Sequence, residues 1–141
     1  MGFHIVNSLT EAQIDDLMGL YQHTYWAKER QRRDVVKMLC NSDHVFGAVE
    51  DGTDRLCAFT RVLTDEVYRA VLFDVVVHPE HQGKGLAGMV LEAVISHPDL
   101  ASVENLLLYC KPDVIALYEK WDFTDGSTSM HLMKRERPSK E

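Results

Sequence analysis

Few cysteines and a shortage of basic residues narrow what this sequence can do. Its three cysteines are odd in number and none belongs to a CxxC pair, which argues against a disulfide framework or a structural zinc site. Lysine and arginine total 15 against 22 aspartate and glutamate, a net charge of −7, whereas nucleic-acid binders need a basic surface. That charge fits a cationic or amine-bearing partner better.

Long apolar runs are also missing. No stretch approaches the roughly 20 apolar residues that span a bilayer, and Met1 to Thr10 lacks the basic then apolar pattern of a signal peptide. We therefore expect a cytoplasmic protein that binds no membrane. With 141 residues, 45% of them hydrophobic, the chain has the size and balance of one globular domain, expected over residues 1–133, with a charged tail at 134–141.

The first half of the chain predicts a strand, two helices and a hairpin. Phe3 to Asn7 has strand character, and Ser8 with Glu11 forms a capping box that predicts a helix start. A second helix is predicted around Val35 to Leu39. The β-rich runs His44 to Glu50 and Arg55 to Leu63, joined by a turn that contains glycine, predict an antiparallel pair.

The second half alternates strands and helices. Val71 to Val77 is nearly all apolar, as in a central strand, and an apolar helical stripe begins near Gly85. Asn105 to Cys110 predicts another strand, a helix follows from Asp113, and Thr128 to Met133 predicts the last strand. The order predicts an α/β or α+β three-layer domain, a mixed sheet with helices against both faces.

A glycine-rich turn between a buried strand and a helix is the most informative segment. Such a turn can point backbone N–H groups at a pyrophosphate, with help from the helix N-terminus. The segment does not match a Walker phosphate-binding loop: His78 stands where that motif needs glycine, and Gly85 where it needs Ser or Thr. Gly83, Gly85 and Gly88 match GxGxxG, but the dinucleotide fold expects this motif after the first strand and an acid where Lys111 stands.

A third motif fits. Gln82, Gly85 and Ala87 occupy the places of (Gln/Arg)xxGx(Gly/Ala), and Ala116 to Phe123 is similar to the element LYEKxGF. Together they resemble the GNAT superfamily of acetyl-CoA-dependent acyltransferases. The resemblance implies a mostly antiparallel sheet with one splayed parallel strand pair. Asp122 stands where the family usually has glycine, and Asp tolerates the left-handed turn expected there.

The resemblance also implies an acetyl-CoA site. In the family the end of the central strand binds the pantetheine arm, and the following loop and helix N-terminus bind the pyrophosphate. The residues implied here are Val75, Val76, Val77, Gln82, Gly83, Lys84, Gly85, Leu86 and Ala87. Asp113 occupies a place where asparagine is common, so its contact with the coenzyme is in doubt.

Two residues are candidates for catalysis. Tyr118 matches the family's tyrosine that protonates the coenzyme A sulfur, although it also belongs to an apolar helical stripe and could be core. Asp74 is an acid inside an apolar strand, so its carboxylate is either a base facing the cleft or structurally paired. An oxyanion donor would be a backbone N–H near Val76.

The resemblance implies an acceptor site against Tyr21 to Arg33 and the loop around Asp125 to Ser129, because the family builds its acceptor pocket from the first helical pair and the last hairpin. Tyr25 and Trp26 could stack on the acceptor, and Arg30 with its neighbours Arg32 and Arg33 could hold a carboxylate or phosphate. The alternative is that these arginines form a solvated helix face with no binding role. We expect no metal, because His78 and His81 lack an evident third ligand.

The expected function is acetyl transfer from acetyl-CoA to the primary amine of a small metabolite, by direct attack in a ternary complex. Two alternatives remain open at this point: an acyl-CoA sensor without transfer, and a transferase acting on proteins or peptides. A homodimer is also left open.

Overall fold

A mixed five-stranded sheet organises the first part of this computed structural model. The model describes residues 2–126 and 130–138, which fall into two compact units, Met1–Tyr109 and Cys110–Glu141. The strands of the first unit are β1 (Phe3–Val6), β2 (His44–Glu50), β3 (Leu56–Thr64), β4 (Arg69–Val77) and β5 (Asn105–Leu108). They lie side by side in chain order; β1 to β4 pair antiparallel, and β4 pairs parallel with β5. The predicted hairpin and the interior position of β4 are confirmed.

Helices cover both faces of this sheet. They are α1 (Glu11–Tyr21), α2 (Arg32–Asn41) and α3 (Leu86–Ser96). Phe59 of β3 belongs to the core cluster of α1 and α2, whereas its neighbour Ala58 belongs to the cluster of α3. Successive strand residues point to opposite faces, so α1 and α2 lie on one side and α3 on the other. The three-layer prediction is confirmed.

The start of α1 differs from the expected capping box. Thr10, rather than Ser8, is the N-cap: its hydroxyl accepts from the Gln13 amide N–H at 3.1 Å, and its own N–H donates to Gln13 Oε1 at 3.1 Å. Gln13 is buried and also donates from Nε2 to the Asp54 carbonyl at 3.0 Å. That long-range contact favours the T-x-x-Q box over the overlapping S-x-x-E box.

The second unit contains a 3₁₀ turn (Pro112–Val114) and helix α4 (Ile115–Glu119). Asp122 follows α4 with a φ of 67°, which confirms the left-handed turn expected there. The strand predicted at Thr128 to Met133 is not confirmed: 127–129, which also belong to the predicted acceptor loop, lie outside the described residues, and Met130 to Met133 contains no strand. Over the described ranges, no helix is long and apolar enough to cross a membrane.

Candidate active site

Strand β4 extends beyond the end of its parallel partner β5. The β4–β5 ladder runs from Arg69↔Asn105 to Leu72↔Leu108, and β4 then continues to Val77. The predicted strand Asn105 to Cys110 is therefore two residues shorter than expected, because Tyr109 and Cys110 do not join the ladder. The splay expected from the family corresponds to this point, where Phe73 to Val77 continue beyond the last β5 pair.

A bulge in β4 lies at the same point. The β3–β4 register shifts between Phe59 and Arg61, and Asp74 has a φ of 60°. Aspartate is one of the few residues that accept a left-handed backbone, and bulges re-aim side chains locally. Asp74 is therefore turned out of the regular alternation of the strand.

The Asp74 carboxylate is paired. Its Oδ2 accepts from the Tyr21 hydroxyl at 3.0 Å, from the Arg30 Nη1 at 2.7 Å and from the Arg61 Nε at 2.9 Å. The Asp74 side chain is only 5% exposed. We call these four residues the Asp74 cluster. This geometry is the structural alternative left open by the sequence, and a role of Asp74 as general base stays a prediction.

The cluster sets the protonation of its members. Burial by itself raises the pKa of Asp74, but the hydrogen bonds and charges of Arg30 and Arg61 outweigh it, so the pKa lies below its usual value. Burial and the adjacent Asp74 charge hold the pKa of Tyr21 well above that of a free phenol. At neutral pH the cluster is therefore an ionised carboxylate, two guanidinium groups and a neutral phenol.

The residues predicted to bind the acceptor lie in two different environments. Arg30 lies over two aromatic rings, with its Cζ 5.0 Å from the Tyr21 ring centroid and 5.4 Å from that of Trp26. Trp26 packs edge-on against Tyr21 at 6.1 Å and stays 41% exposed. Tyr25 lies in the same loop and is exposed. Arg32 instead pairs at the surface with Glu11 and Asp15, at 2.7 and 2.9 Å, as the solvated-face alternative predicted.

The glycine-rich turn presents an open helix start. Gly85 caps α3 with a φ of 77° and no side-chain hydrogen bond, and Gly83 has a φ of 81°. Both need glycine for their backbone rather than for space, because a Cβ on either would meet nothing within 4 Å. Gln82 and Lys84 are exposed beside them. The first N–H groups of α3 lack intrahelical partners, so this turn suits an anionic pyrophosphate.

The remaining predicted coenzyme residues flank that turn. Val76 is buried in the core with Phe59, and the half-buried Val77 packs against the cluster of α3, so the end of β4 is anchored on both faces. Val75 is also half-buried. At the other end of the turn Leu86 is buried and Ala87 half-buried. The backbone of this segment is thereby held by packing on both sides, which suits a site made of main-chain donors.

Tyr118 belongs to the second unit. It is 8% exposed on α4 and packs edge-on against Phe123, with ring centroids 6.1 Å apart. Burial, then the nearby Cys110, raises the pKa of Tyr118, so the phenol holds its proton at neutral pH. Asp113 is exposed in the 3₁₀ turn. The catalytic role of Tyr118 stays a prediction, as does the coenzyme contact of Asp113.

Sequence reasoning missed Arg61 and the role of Tyr21 as a partner of Asp74. Tyr21 looked like one more apolar position of α1, and Arg61 lies within the hairpin strand β3. One signal was available: a lone arginine interrupts β3 and a lone aspartate interrupts β4, and buried charges are normally paired.

Potential metal ligands meet both beside the glycine-rich turn and away from it. The rings of His78 and His81 lie 5.7 Å apart. Among the described residues, His44, His97 and Asp99 place ligand atoms within 4.8 Å of one another, but His97 Nδ1 already accepts the Asp99 amide N–H at 3.1 Å. The expectation of no metal stays a prediction.

Comparison with known proteins identifies the family. A family model described as Acetyltransferase (GNAT) family matches residues 6–123. The chain belongs to this family. A solved structure of a protein assigned to the GNAT family, from Xanthomonas campestris pv. campestris, shares 35% identity with a TM-score of 0.78, covering 96% of this chain and 94% of that one. The fold expected from the two motifs is thereby confirmed.

Curated relatives of this GNAT enzyme are N-acetyltransferases. An uncharacterized N-acetyltransferase ycf52 from Pyropia yezoensis is 32% identical over 125 residues, which is 85% of this chain and 71% of the relative. A chloroplastic serotonin N-acetyltransferase 2 from Oryza sativa subsp. japonica is 29% identical over 124 residues, 86% of this chain and 62% of that protein. The chain is thus a GNAT N-acetyltransferase, and the family implies acetyl-CoA as co-substrate.

Proposed function

We propose that this enzyme transfers the acetyl group of acetyl-CoA to the primary amine of a small molecule by direct attack. The observation that carries the proposal is the coincidence of three features on β4: the end of its β5 ladder, the bulge at Asp74 and the glycine turn that follows Val77. The serotonin N-acetyltransferase among its relatives supports a small acceptor.

The turn would hold the coenzyme. Acetyl-CoA supplies the acetyl group as a thioester, whose transfer forms an amide and releases the thiol. The exposed turn and the Lys84 ammonium would bind the pyrophosphate, and the backbone beyond the bulge, Val75 to Val77, would bind the pantetheine arm. These local donors have to overcome the unfavourable field of a chain with net charge −7.

Proton transfer needs a donor and a neutral amine. The amine loses one proton on forming the amide, and the departing thiolate takes one up. Tyr118 would give that proton, since its raised pKa keeps the phenol protonated, and the proton released by the amine would return to the phenol through water, so that each turnover leaves the enzyme unchanged. The Asp74 cluster would fix the bulge and hence the backbone N–H near Val76 that faces the developing oxyanion.

Amine-dependent coenzyme A release tests the proposal. Wild type and Tyr118→Phe are assayed with small amines and basic peptides, and Tyr68→Phe is the control because Tyr68 is 61% exposed and lies outside the site. We expect at least about a tenfold loss of kcat in Tyr118→Phe, with the Kd for acetyl-CoA unchanged and Tyr68→Phe like wild type.

Other outcomes identify the alternatives. Turnover of peptides with no turnover of small amines would support a protein or peptide acetyltransferase. Binding of acetyl-CoA with no turnover of any acceptor would support a sensor. Full activity in Tyr118→Phe would assign the tyrosine to the core.

A further inference from the structure

We propose that the acceptor carries an anionic group, a carboxylate or a phosphate, that pairs with the guanidinium groups of Arg30 and Arg61 in the Asp74 cluster. This inference rests on the proposed transferase function and names the substrate class of that site. It reverses the expectation from composition, in which the net charge of −7 favoured a cationic partner.

The cluster has more positive than negative charge. Arg30 and Arg61 share one carboxylate, and all three hydrogen bonds, Tyr21's included, end on the single oxygen Oδ2 of Asp74. The charged groups that act on the Tyr21 hydroxyl are these same three, Asp74, Arg30 and Arg61. With a neutral Tyr21, the cluster therefore carries a net charge of one positive unit inside an acidic protein.

Arg30 is within reach of a ligand. Its side chain is 31% exposed, against 5% for Asp74 and 15% for Arg61. A guanidinium has five N–H donors. Arg30 donates to Asp74 from Nη1, and Arg61 donates to Asp74 from Nε. The aromatic rings of Tyr21 and Trp26 fix the plane of Arg30 at 5.0 and 5.4 Å, and a fixed guanidinium plane is suited to a carboxylate or phosphate.

The excess charge also suits the reaction. A positive field disfavours the ammonium form of an incoming amine and favours the neutral form that attacks. A second cationic group on the acceptor, as in a polyamine, would be repelled. An anionic group would be attracted, and one charge-assisted hydrogen bond corresponds to about a 10- to 100-fold gain in binding.

Matched acceptors test the inference. Coenzyme A release is measured for amino acids against their decarboxylated amines, tryptophan with tryptamine and β-alanine with ethylamine, and for phosphoethanolamine against ethanolamine, which separates carboxylate from phosphate. Each kcat/KM is corrected for the fraction of neutral amine. We expect at least one anionic acceptor to exceed its uncharged partner by about 10-fold or more.

Variants tie the preference to the cluster. Arg30→Gln should lower the anionic-to-uncharged ratio of kcat/KM by about 10-fold or more, whereas Arg30→Lys, which keeps the charge, should retain most of it. Arg69→Gln removes the same charge from the exposed first position of β4 and should leave the ratio within about twofold. Thermal melting confirms that each variant is folded.

The outcomes separate this inference from the transferase proposal. Equal or better use of uncharged amines, or an unchanged ratio in Arg30→Gln with both rates lowered alike, would overturn the anionic acceptor and leave transfer intact. Failure of every amine to release coenzyme A would contradict transfer. Thermal shift of the coenzyme A complex with each acceptor pair would still decide the charge preference, which requires the anionic member to bind more tightly.

Discussion

Replacing Asp74 with asparagine should destabilise the fold through loss of charge alone. Asparagine has nearly the same shape and also accepts a left-handed backbone, so the φ of 60° at this position is not the cause. The carboxylate, 5% exposed, accepts three hydrogen bonds at 2.7, 2.9 and 3.0 Å. In the variant, two guanidinium groups lose their common counter-charge.

The size of the effect follows from that burial. Removing one partner of a buried ion pair costs about 3–5 kcal/mol. Arg30 is 31% exposed and can be partly solvated, and the asparagine oxygen still accepts a hydrogen bond, so we expect the lower end, about 3 kcal/mol. For a domain of this size that corresponds to roughly 10 °C in Tm.

The stability difference between wild type and Asp74→Asn should shrink in acid. Because the pKa of Asp74 is lowered in the folded state, its ionisation stabilises the fold above the unfolded pKa of about 3.9 and stops doing so as the pH falls through the folded pKa. Urea denaturation from pH 7 to pH 3 should show the full difference at pH 7 and pH 5 and a shrinking one below about pH 4. Equal stability at pH 7, or a difference independent of pH, would refute this account of the cluster.

Activity separates positioning from base catalysis. Loss of a general base lowers kcat by about 10²- to 10⁴-fold even in a folded protein. If Asp74 only positions the bulge, Asp74→Asn should lose less than about 100-fold in kcat at a temperature well below its Tm.

Replacing glycine by alanine should change stability in opposite directions at two positions, Gly19 and Gly85. A new Cβ meets no other atom within 4 Å at either position, so the backbone conformation decides the direction. Gly19→Ala, at an exposed position of helix α1, should raise the unfolding free energy by about 0.5–1 kcal/mol in urea denaturation; lower stability would contradict the helical assignment. Gly85→Ala, at a φ of 77°, should lower it by about 1–2 kcal/mol and raise the Kd for acetyl-CoA in calorimetry. An unchanged Kd would count against the turn as the pyrophosphate site.

Local patterns of the sequence predicted the elements well. The hairpin, the interior strand β4 and the start of α3 follow from β-rich runs, apolar content and a glycine next to a helical stripe. The cap of α1 was wrong because two overlapping boxes fit the same residues, and the buried contact of Gln13 with the Asp54 carbonyl decides between them. A sequence pattern carries no record of that contact.

The Asp74 cluster shows where such reasoning stops. Asp74 was found because an acid in an apolar strand needs a partner, but its partners Tyr21 and Arg30 lie 53 and 44 residues away in the chain. Periodicity assigned Tyr21 to the core, and it is indeed buried. Only the packing of α1 against β4 brings its hydroxyl to the carboxylate.

The early end of the β4–β5 ladder creates a strand edge in the interior of a sheet. Within residues 2–109, β4 beyond Leu72 has no β5 partner for its backbone groups, and unpaired edges are templates for any extended chain. An amide-bearing arm laid along Phe73 to Val77 would complete the ladder as an added strand does. If the proposed co-substrate lies along this edge, its binding also covers backbone groups that could otherwise pair with an extended chain.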